Sequence, residues 1–185
     1  MSHDSTVVPG DLEDPMDLEG LVAENRQVLD QLCRFLAGLS AAAYGRSLDR
    51  RQSLGKHVRH IIDHYEALLA ATRHGRLDYE HRPRETWPER CPREAQRRLE
   101  AIAAALPALE DSGLLSLAYP LEEGGLRQLE TSLGRELAFL TSHTIHHMAL
   151  LGLLAERLGV VLSEDFGVHP STLRHWASQA SRASA

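Results

Sequence analysis

The stretch that decides the fold is Arg-Glu-Leu-Ala-Phe-Leu-Thr-Ser-His-Thr-Ile-His-His-Met-Ala-Leu-Leu-Gly-Leu-Leu-Ala-Glu-Arg-Leu-Gly, residues 135–159. Its apolar residues recur at steps of three and four, which is the spacing of the buried face of an amphipathic helix. The same spacing extends back to Leu126, and Gly159 is a residue typical of a helix end. The pattern predicts one long helix over residues 126–158.

Histidines interrupt the apolar face of this predicted helix. His147 takes a position in the ladder between Leu140 and Leu151, and His143 lies beside the ladder. At about 100° per residue, His143 and His147 are about 40° apart and are predicted to point into the protein. His146 points about 60° to the other side of His143, which indicates a surface position or a place beside a ligand.

A second group of histidines lies in Gly-Lys-His-Val-Arg-His-Ile-Ile-Asp-His-Tyr-Glu-Ala-Leu-Leu, residues 55–69. The apolar residues again follow a helical period, and His57, His60 and His64 fall within about 60° of one another. The pairs His60/His64 and His143/His147 therefore place imidazoles on one face of each of two helices. Six of the chain's eleven histidines lie in these two windows.

Besides the two histidine-bearing helices, the rest of the chain predicts two further long helices and one long connection. We expect a first helix from Met16 with a stop near Gly45, and a helix capped by Ser53 that ends at His74-Gly75. A further helix is expected from Pro92 to about Gly113.

The connecting segments have no helical period. Residues 76–92 contain three prolines and are predicted to be a crossover loop. Residues 114–121 fit a strand-like arm or irregular packing, and Ser171 is expected to cap a short closing helix. The prediction is an all-α four-helix bundle over residues 16–176, with flexible segments at 1–15 and 177–185.

The composition narrows the partners and the location. The 20 Lys and Arg residues are scattered among 26 Asp and Glu residues and the net charge is −6, so we expect no nucleic-acid partner. Cys33 and Cys91 are too few for a disulfide framework. No apolar run approaches the about 20 residues of a membrane span and the N-terminus lacks a signal-peptide pattern, so we expect a cytoplasmic protein without membrane association.

A shared metal ion accounts for the clustered histidines. A buried imidazole without a partner costs about 1–3 kcal/mol, and several protonated imidazoles would repel one another. Neutral imidazole is a common ligand of zinc, nickel and iron, so the metal candidates are His57, His60, His64, His143 and His147. Glu136, seven residues before His143, is a candidate catalytic residue that orients an imidazole or acts as a base, with a packing or solvated carboxylate as the alternative.

At the two histidine windows the sequence resembles the DinB-like family, which includes bacillithiol transferases and related thiol-dependent enzymes. The resemblance implies a bundle that is often dimeric and in which three histidines hold a divalent metal with coordination positions left open. Carried over to this sequence, those histidines are His60, His143 and His147. Met148 and Ala149 stand where the family's ergothioneine-type sulfoxide synthases have a glutamate, which disfavours that oxidative chemistry.

Three functions follow as hypotheses. The first is a metal-dependent enzyme that activates a thiol or water, a thiol transferase or hydrolase acting on a small molecule, with a low-molecular-weight thiol as cofactor. The second is a non-catalytic, metal-stabilised dimeric module in stress response, in which His57 or His64 closes the site as fourth ligand. The third is a non-haem iron enzyme with a three-histidine site. The number of metal ions, one or two, is left open.

Overall fold

The computed structural model of the protein describes residues 18–48, 52–83, 85–110, 113–122 and 124–183. Within these ranges it contains six helices and a three-stranded sheet. The helices are α1 (Leu18–Ala37), α2 (Ala41–Gly45), α3 (Leu54–His74), α4 (Pro92–Ala105), α5 (Leu133–Arg157) and α6 (Pro170–Ala183). The strands are β1 (Arg76–Leu77), β2 (Leu114–Pro120) and β3 (Leu126–Ser132). The predicted leader, residues 1–15, lies outside the described residues.

Four of the helices form the bundle that the apolar periodicity predicted. Helices α1 and α3 each pack against both α4 and α5, so α1 and α3 lie at opposite corners of the bundle. Leucines and isoleucines at three- and four-residue steps fill its interior, for example Leu29, Leu32, Ile61, Leu99 and Leu140, each fully buried. The predicted fold class is confirmed, and the small sheet is added to one end of a mostly helical protein.

The ends of α3 lie where the sequence placed them. The Ser53 side chain accepts a hydrogen bond from the Lys56 backbone N–H (3.3 Å) and caps the first turn. Gly75 follows the last residue with φ of 71°, a left-handed conformation that suits glycine and ends the helix. Helix α4 likewise begins at Pro92, as predicted.

Two predicted helices are shorter than expected. The first ends at Ala37, and the short α2, capped by the side chain of Ser40, occupies the residues before Gly45. The helix expected to reach Gly113 ends at Ala105 and continues as a 3₁₀ turn, Leu106–Ala108. Pro107 lies in this turn, and proline lacks the N–H that a continuing α-helix needs.

The predicted helix over residues 126–158 was wrong in its first turns. Residues 126–132 form β3, which pairs antiparallel with β2 in the register Leu114↔Ser132 to Pro120↔Leu126. The Ser132 side chain then caps α5 by accepting from the Arg135 backbone N–H (3.2 Å). Residues 114–121, left open between strand and irregular packing, are mostly strand. Strand β1 extends the sheet by parallel pairing with β2.

The closing helix α6 begins at Pro170 and not after Ser171. The His169 side chain takes the capping role, because its Nδ1 accepts from the Ser171 backbone N–H (3.2 Å). The helix is tied to α1 by an ion pair between Arg174 and Glu24 (2.5 Å). It extends to Ala183, so residues 177–183 of the predicted tail are helical.

A buried polar network crosses the bundle between α1, α3 and α5. Asn25 donates to the backbone oxygens of Leu21 (2.8 Å) and Leu137 (3.0 Å) and accepts from the Tyr65 hydroxyl (2.7 Å). Thr144 donates to the same Tyr65 hydroxyl (3.3 Å). Asn25, Tyr65 and Thr144 are fully buried, and their mutual bonds satisfy groups that would otherwise be costly to bury.

Helix α5 is long and apolar enough to span a membrane, with a mean hydropathy of 1.3 over its most apolar window. The core helix of a bundle meets the same criterion, so the observation is weak evidence for a membrane span. In the structure α5 supplies fully buried Leu137, Leu140 and Leu151 to the core. Absence of membrane association stays a prediction.

Candidate metal centre

Helices α3 and α5 bring three histidines together. His60 lies on α3, His143 and His147 lie one turn apart on α5, and one ring nitrogen from each lies within 4.8 Å of the others. The ring centroids of His60 lie 5.1 Å from His143 and 4.6 Å from His147, and the latter two are 4.6 Å apart. These are the residues that the family resemblance implied as ligands.

The surroundings of His143 fit a cation. Its Nε2 is buried and has no hydrogen-bond partner among the described residues. One ring face stacks on Phe139, with centroids 5.3 Å apart. Buried polar atoms are nearly always partnered, and an unpartnered imidazole nitrogen among other imidazoles has the donor chemistry that a divalent transition metal prefers.

The imidazoles of the cluster are held neutral, which metal binding requires. Burial, with His64, His147, His143 and Arg82 as additional causes, lowers the pKa of His60 to about 2. Burial is also the main cause that lowers the pKa of His143 and of His147 to about 4. At neutral pH these rings carry lone pairs and no positive charge.

His64 lies beside the three but outside the group of close nitrogens. It is buried, and its ring centroid lies 4.3 Å from both His60 and His143. Its Nδ1 donates to the backbone oxygen of His60 (2.8 Å). Because Nδ1 carries the proton, the lone pair of the neutral ring is on Nε2. Burial lowers the pKa of His64 to about 4.

His57 is also outside the group. Its Nδ1 lies 3.1 Å from Nδ1 of His147, and its Nε2 lies 2.6 Å from the side-chain oxygen of Gln52. His146 is exposed, with its ring 5.3 Å from that of His147. Three other histidines therefore lie beside the three close ones: His64 is buried, His57 is half-buried and His146 is exposed.

Glu136 is fully buried, two turns before His143 on α5. One carboxylate oxygen accepts from Thr131 (2.6 Å) and Arg135 (2.7 Å), and the other accepts from the Tyr79 hydroxyl (2.8 Å). Tyr79 in turn stacks on His64, with ring centroids 5.0 Å apart. Glu136 thus reaches the cluster through Tyr79, and its catalytic role stays a prediction.

Arg82 is a residue of the site that sequence reasoning missed. Its side chain is 8% exposed, its Nη2 donates to Nδ1 of His60 (3.2 Å), and its Nε lies 3.6 Å from Asp63. Because Nδ1 accepts from Arg82, the proton of the neutral His60 ring lies on Nε2, and His60 would hold a metal only with this hydrogen bond broken. Arg82 lies in the crossover segment, which has no periodicity from which its direction could be predicted.

A small polar cavity opens beside the cluster. It has a volume of about 240 Å³ and is lined by Arg59, His60, His64, Glu80 and Arg82. Its walls combine imidazoles from α3 with charged side chains of the crossover segment. This arrangement gives a small polar molecule a path to His60 and His64.

The fold and the cluster define a helical-bundle protein with a candidate three-histidine metal site. A sequence model described as the DinB superfamily matches residues 23–151, which is more than half of the chain. The chain belongs to the DinB superfamily.

One curated relative is the FK506-binding protein 5 of Rhizopus delemar. It is 32% identical to this chain over 88 residues, which cover 43% of this chain and 23% of that protein. The chain therefore spans less than a quarter of the length of that relative.

Proposed function

We propose that the chain is a metal-dependent enzyme in which His60, His143 and His147 hold one divalent transition-metal ion, zinc, nickel or iron. The observation that carries the proposal is the buried Nε2 of His143, which has no hydrogen-bond partner among the described residues, on a histidine whose ring offers one nitrogen within 4.8 Å of nitrogens of His60 and His147. The lowered pKa of each of the three imidazoles supports it, because neutral rings are competent ligands.

The reaction class that we propose is activation of a thiol or water, as in a thiol transferase or a hydrolase. A divalent ion in such a site is a Lewis acid that lowers the pKa of a bound thiol or water. The cavity of about 240 Å³ supports a small molecule as the ligand, and we propose a low-molecular-weight thiol as the co-substrate. The guanidinium of Arg82 at its wall favours an anionic group, and the unprotonated Nε2 of neutral His64 can accept a proton.

A second candidate is a non-catalytic module in which the metal stabilises the bundle. One observation favours it: the bond from Nδ1 of His64 to the backbone fixes the lone pair on Nε2, which is the state of a histidine that serves as a fourth ligand. Four protein ligands complete the tetrahedral coordination of zinc and leave no position for a substrate. An iron-dependent three-histidine enzyme differs from both by its dependence on iron(II) and oxygen.

The assembly and the location are part of the proposal. We infer a cytoplasmic homodimer that binds neither nucleic acid nor membranes. The β2–β3 hairpin exposes Tyr119 and Leu129 on one face and Leu114 and Leu126 on the other, and these exposed apolar side chains support a protein contact.

The test is metal affinity in single variants of purified protein. Metal is removed by chelation, and zinc and nickel are titrated against a chromophoric competitor. We expect one equivalent of metal to bind to the wild type. Each of His60→Ala, His143→Ala and His147→Ala should weaken the metal affinity by more than about 100-fold, which exceeds the effect of changing a residue that only supports a ligand. His146→Ala is the matched control, because it removes an exposed histidine from the same helix.

A cobalt-substituted sample separates the two candidates. Added thiol or azide changes the visible spectrum of an open site and leaves a closed four-histidine site unchanged. Absence of stoichiometric metal in the wild type, or equal affinity in His143→Ala and His146→Ala, would refute the metal site.

A further inference from the structure

The orientation of His147 is set by two side chains that lie outside the metal group. Nδ1 of His147 faces Nδ1 of His57 at 3.1 Å, and Nε2 of His57 faces the side-chain oxygen of Gln52 at 2.6 Å. The backbone of Gln52 is itself fixed, because its carbonyl accepts from the Leu48 N–H (3.1 Å) and Ser53 beside it caps α3. The three side chains form a continuous hydrogen-bonded row.

If both rings are neutral, the donor and the acceptor of each hydrogen bond in this row follow from the acceptor at its end. The amide oxygen of Gln52 only accepts, so Nε2 of His57 carries the proton. A neutral imidazole with its proton on Nε2 has its lone pair on Nδ1. His57 therefore accepts at Nδ1, and His147 donates from Nδ1. The lone pair of neutral His147 is then on Nε2.

We propose that Gln52 and His57 are positioning residues that fix the tautomer of His147 so that its Nε2 offers a lone pair to the metal group. His57 acts through His147 and is not itself a ligand. The inference rests on the proposed metal site and adds to it the means by which one ligand is oriented.

His147 differs in this respect from His64 and His143. The tautomer of His64 is fixed by a backbone oxygen, which no substitution removes, and Nε2 of His143 has no hydrogen-bond partner among the described residues. The tautomer of His147 alone, among these three, depends on side chains that can be exchanged. Gln52 is exposed, so its substitution leaves the core intact.

The test exchanges the terminal group of the row. Gln52→Glu keeps an acceptor, Gln52→Met removes it without a change of charge, and Gln52→Lys supplies a donor that reverses the row. Gln179, which makes a comparable exposed contact with His175 on α6, provides the matched controls Gln179→Met and Gln179→Lys. Circular dichroism and thermal melts establish that each variant is folded.

The first readout is the histidine tautomer, measured by ¹H–¹⁵N correlation NMR on chelator-treated protein. We expect the proton on Nδ1 of His147 in the wild type and in Gln52→Glu, and on Nε2 in Gln52→Lys. The second readout is zinc affinity by competition. It should weaken about 10-fold in Gln52→Met and by about 10- to 100-fold in Gln52→Lys, with Gln52→Glu and both controls close to the wild type.

Different results would refute the proposed metal site and the proposed positioning role. A wild type that binds no metal overturns the proposed function, while the tautomer measurement still tests the row. A wild type that binds metal, with Gln52→Met and Gln52→Lys unchanged in both tautomer and affinity, overturns the positioning role and leaves the metal site standing.

Discussion

Two glycines occupy the same place in two helices and should respond oppositely to the same substitution. Ser53-Leu54-Gly55 begins α3 and Ser132-Leu133-Gly134 begins α5, each with the serine as cap. A Cβ on Gly55 would lie 2.0 Å from the backbone oxygen of Glu89 and 2.7 Å from its carbonyl carbon. A Cβ on Gly134 would meet only the Leu21 side chain, at 3.4 Å. We therefore predict that Gly55→Ala destabilises the protein and Gly134→Ala does not.

The size of the stability loss in Gly55→Ala follows from the backbone that the added methyl group displaces. The 3₁₀ turn Trp87–Glu89 has to retreat by about 1 Å or more, and overpacking of this kind costs about 1–3 kcal/mol. The same turn accepts a buried hydrogen bond from the Tyr44 hydroxyl at the Pro88 oxygen (2.7 Å), whose loss adds about 1 kcal/mol. Alanine gains about 0.5–1 kcal/mol over glycine within a helix. The net expectation for Gly55→Ala is a loss of about 2 kcal/mol.

Urea unfolding followed by circular dichroism measures both variants against the wild type. For a chain of this size about 2 kcal/mol corresponds to a fall in Tm of about 4–8 °C. Gly134→Ala should be unchanged or up to about 1 kcal/mol more stable, because it has the helix propensity gain without the clash. Equal stability of the two variants would show that the approach of Glu89 to Gly55 does not constrain the fold.

Two further predictions concern the hydrogen bond from Tyr79 to Glu136 and the two cysteine thiols. Tyr79→Phe removes the donor to a carboxylate oxygen of buried Glu136 and should lower the free energy of unfolding by about 1–3 kcal/mol, whereas Tyr119→Phe on exposed β2 should change it by less than about 0.5 kcal/mol, both read from urea denaturation. Burial raises the pKa of Cys33 to about 12 while Cys91 is half-buried, so a disulfide reagent at pH 8 should label one thiol in the folded protein and two in urea. Rapid labelling of folded Cys91→Ser would contradict the second prediction.

The sequence predicted those parts of the fold that repeat along the chain. Steps of three and four apolar residues located the bundle helices, and Ser53 and Gly75 marked the ends of α3 correctly. Local signals failed where pairing with a distant segment decides the structure. Leu126 and Leu129 fit a helical step, but the strand over residues 114–120 pairs with them and the helix starts after Ser132.

The residues of the candidate site also differ in how far the sequence predicts them. Residues on the helices, above all His60, His143 and His147, could be placed on interior faces from their spacing. Residues that come from the crossover segment could not, because the direction of Arg82 and Tyr79 depends on contacts with Asp63 and Glu136 that no periodicity encodes. The role proposed for Gln52 could not be inferred from the sequence, because it rests on the distances from His57 to Gln52 and to His147.

The buried network of Asn25, Tyr65 and Thr144 has a consequence for how the cluster is assembled. Tyr65 directly follows His64 and Thr144 directly follows His143, so the contact between Tyr65 and Thr144 in the core fixes the alignment of the two histidine windows. A slip of one helix along the other by one residue, about 1.5 Å, would strain this contact and misplace the imidazoles together. The histidines are therefore brought together as the chain folds, and a metal ion that bound there would meet side chains whose backbone positions are already set.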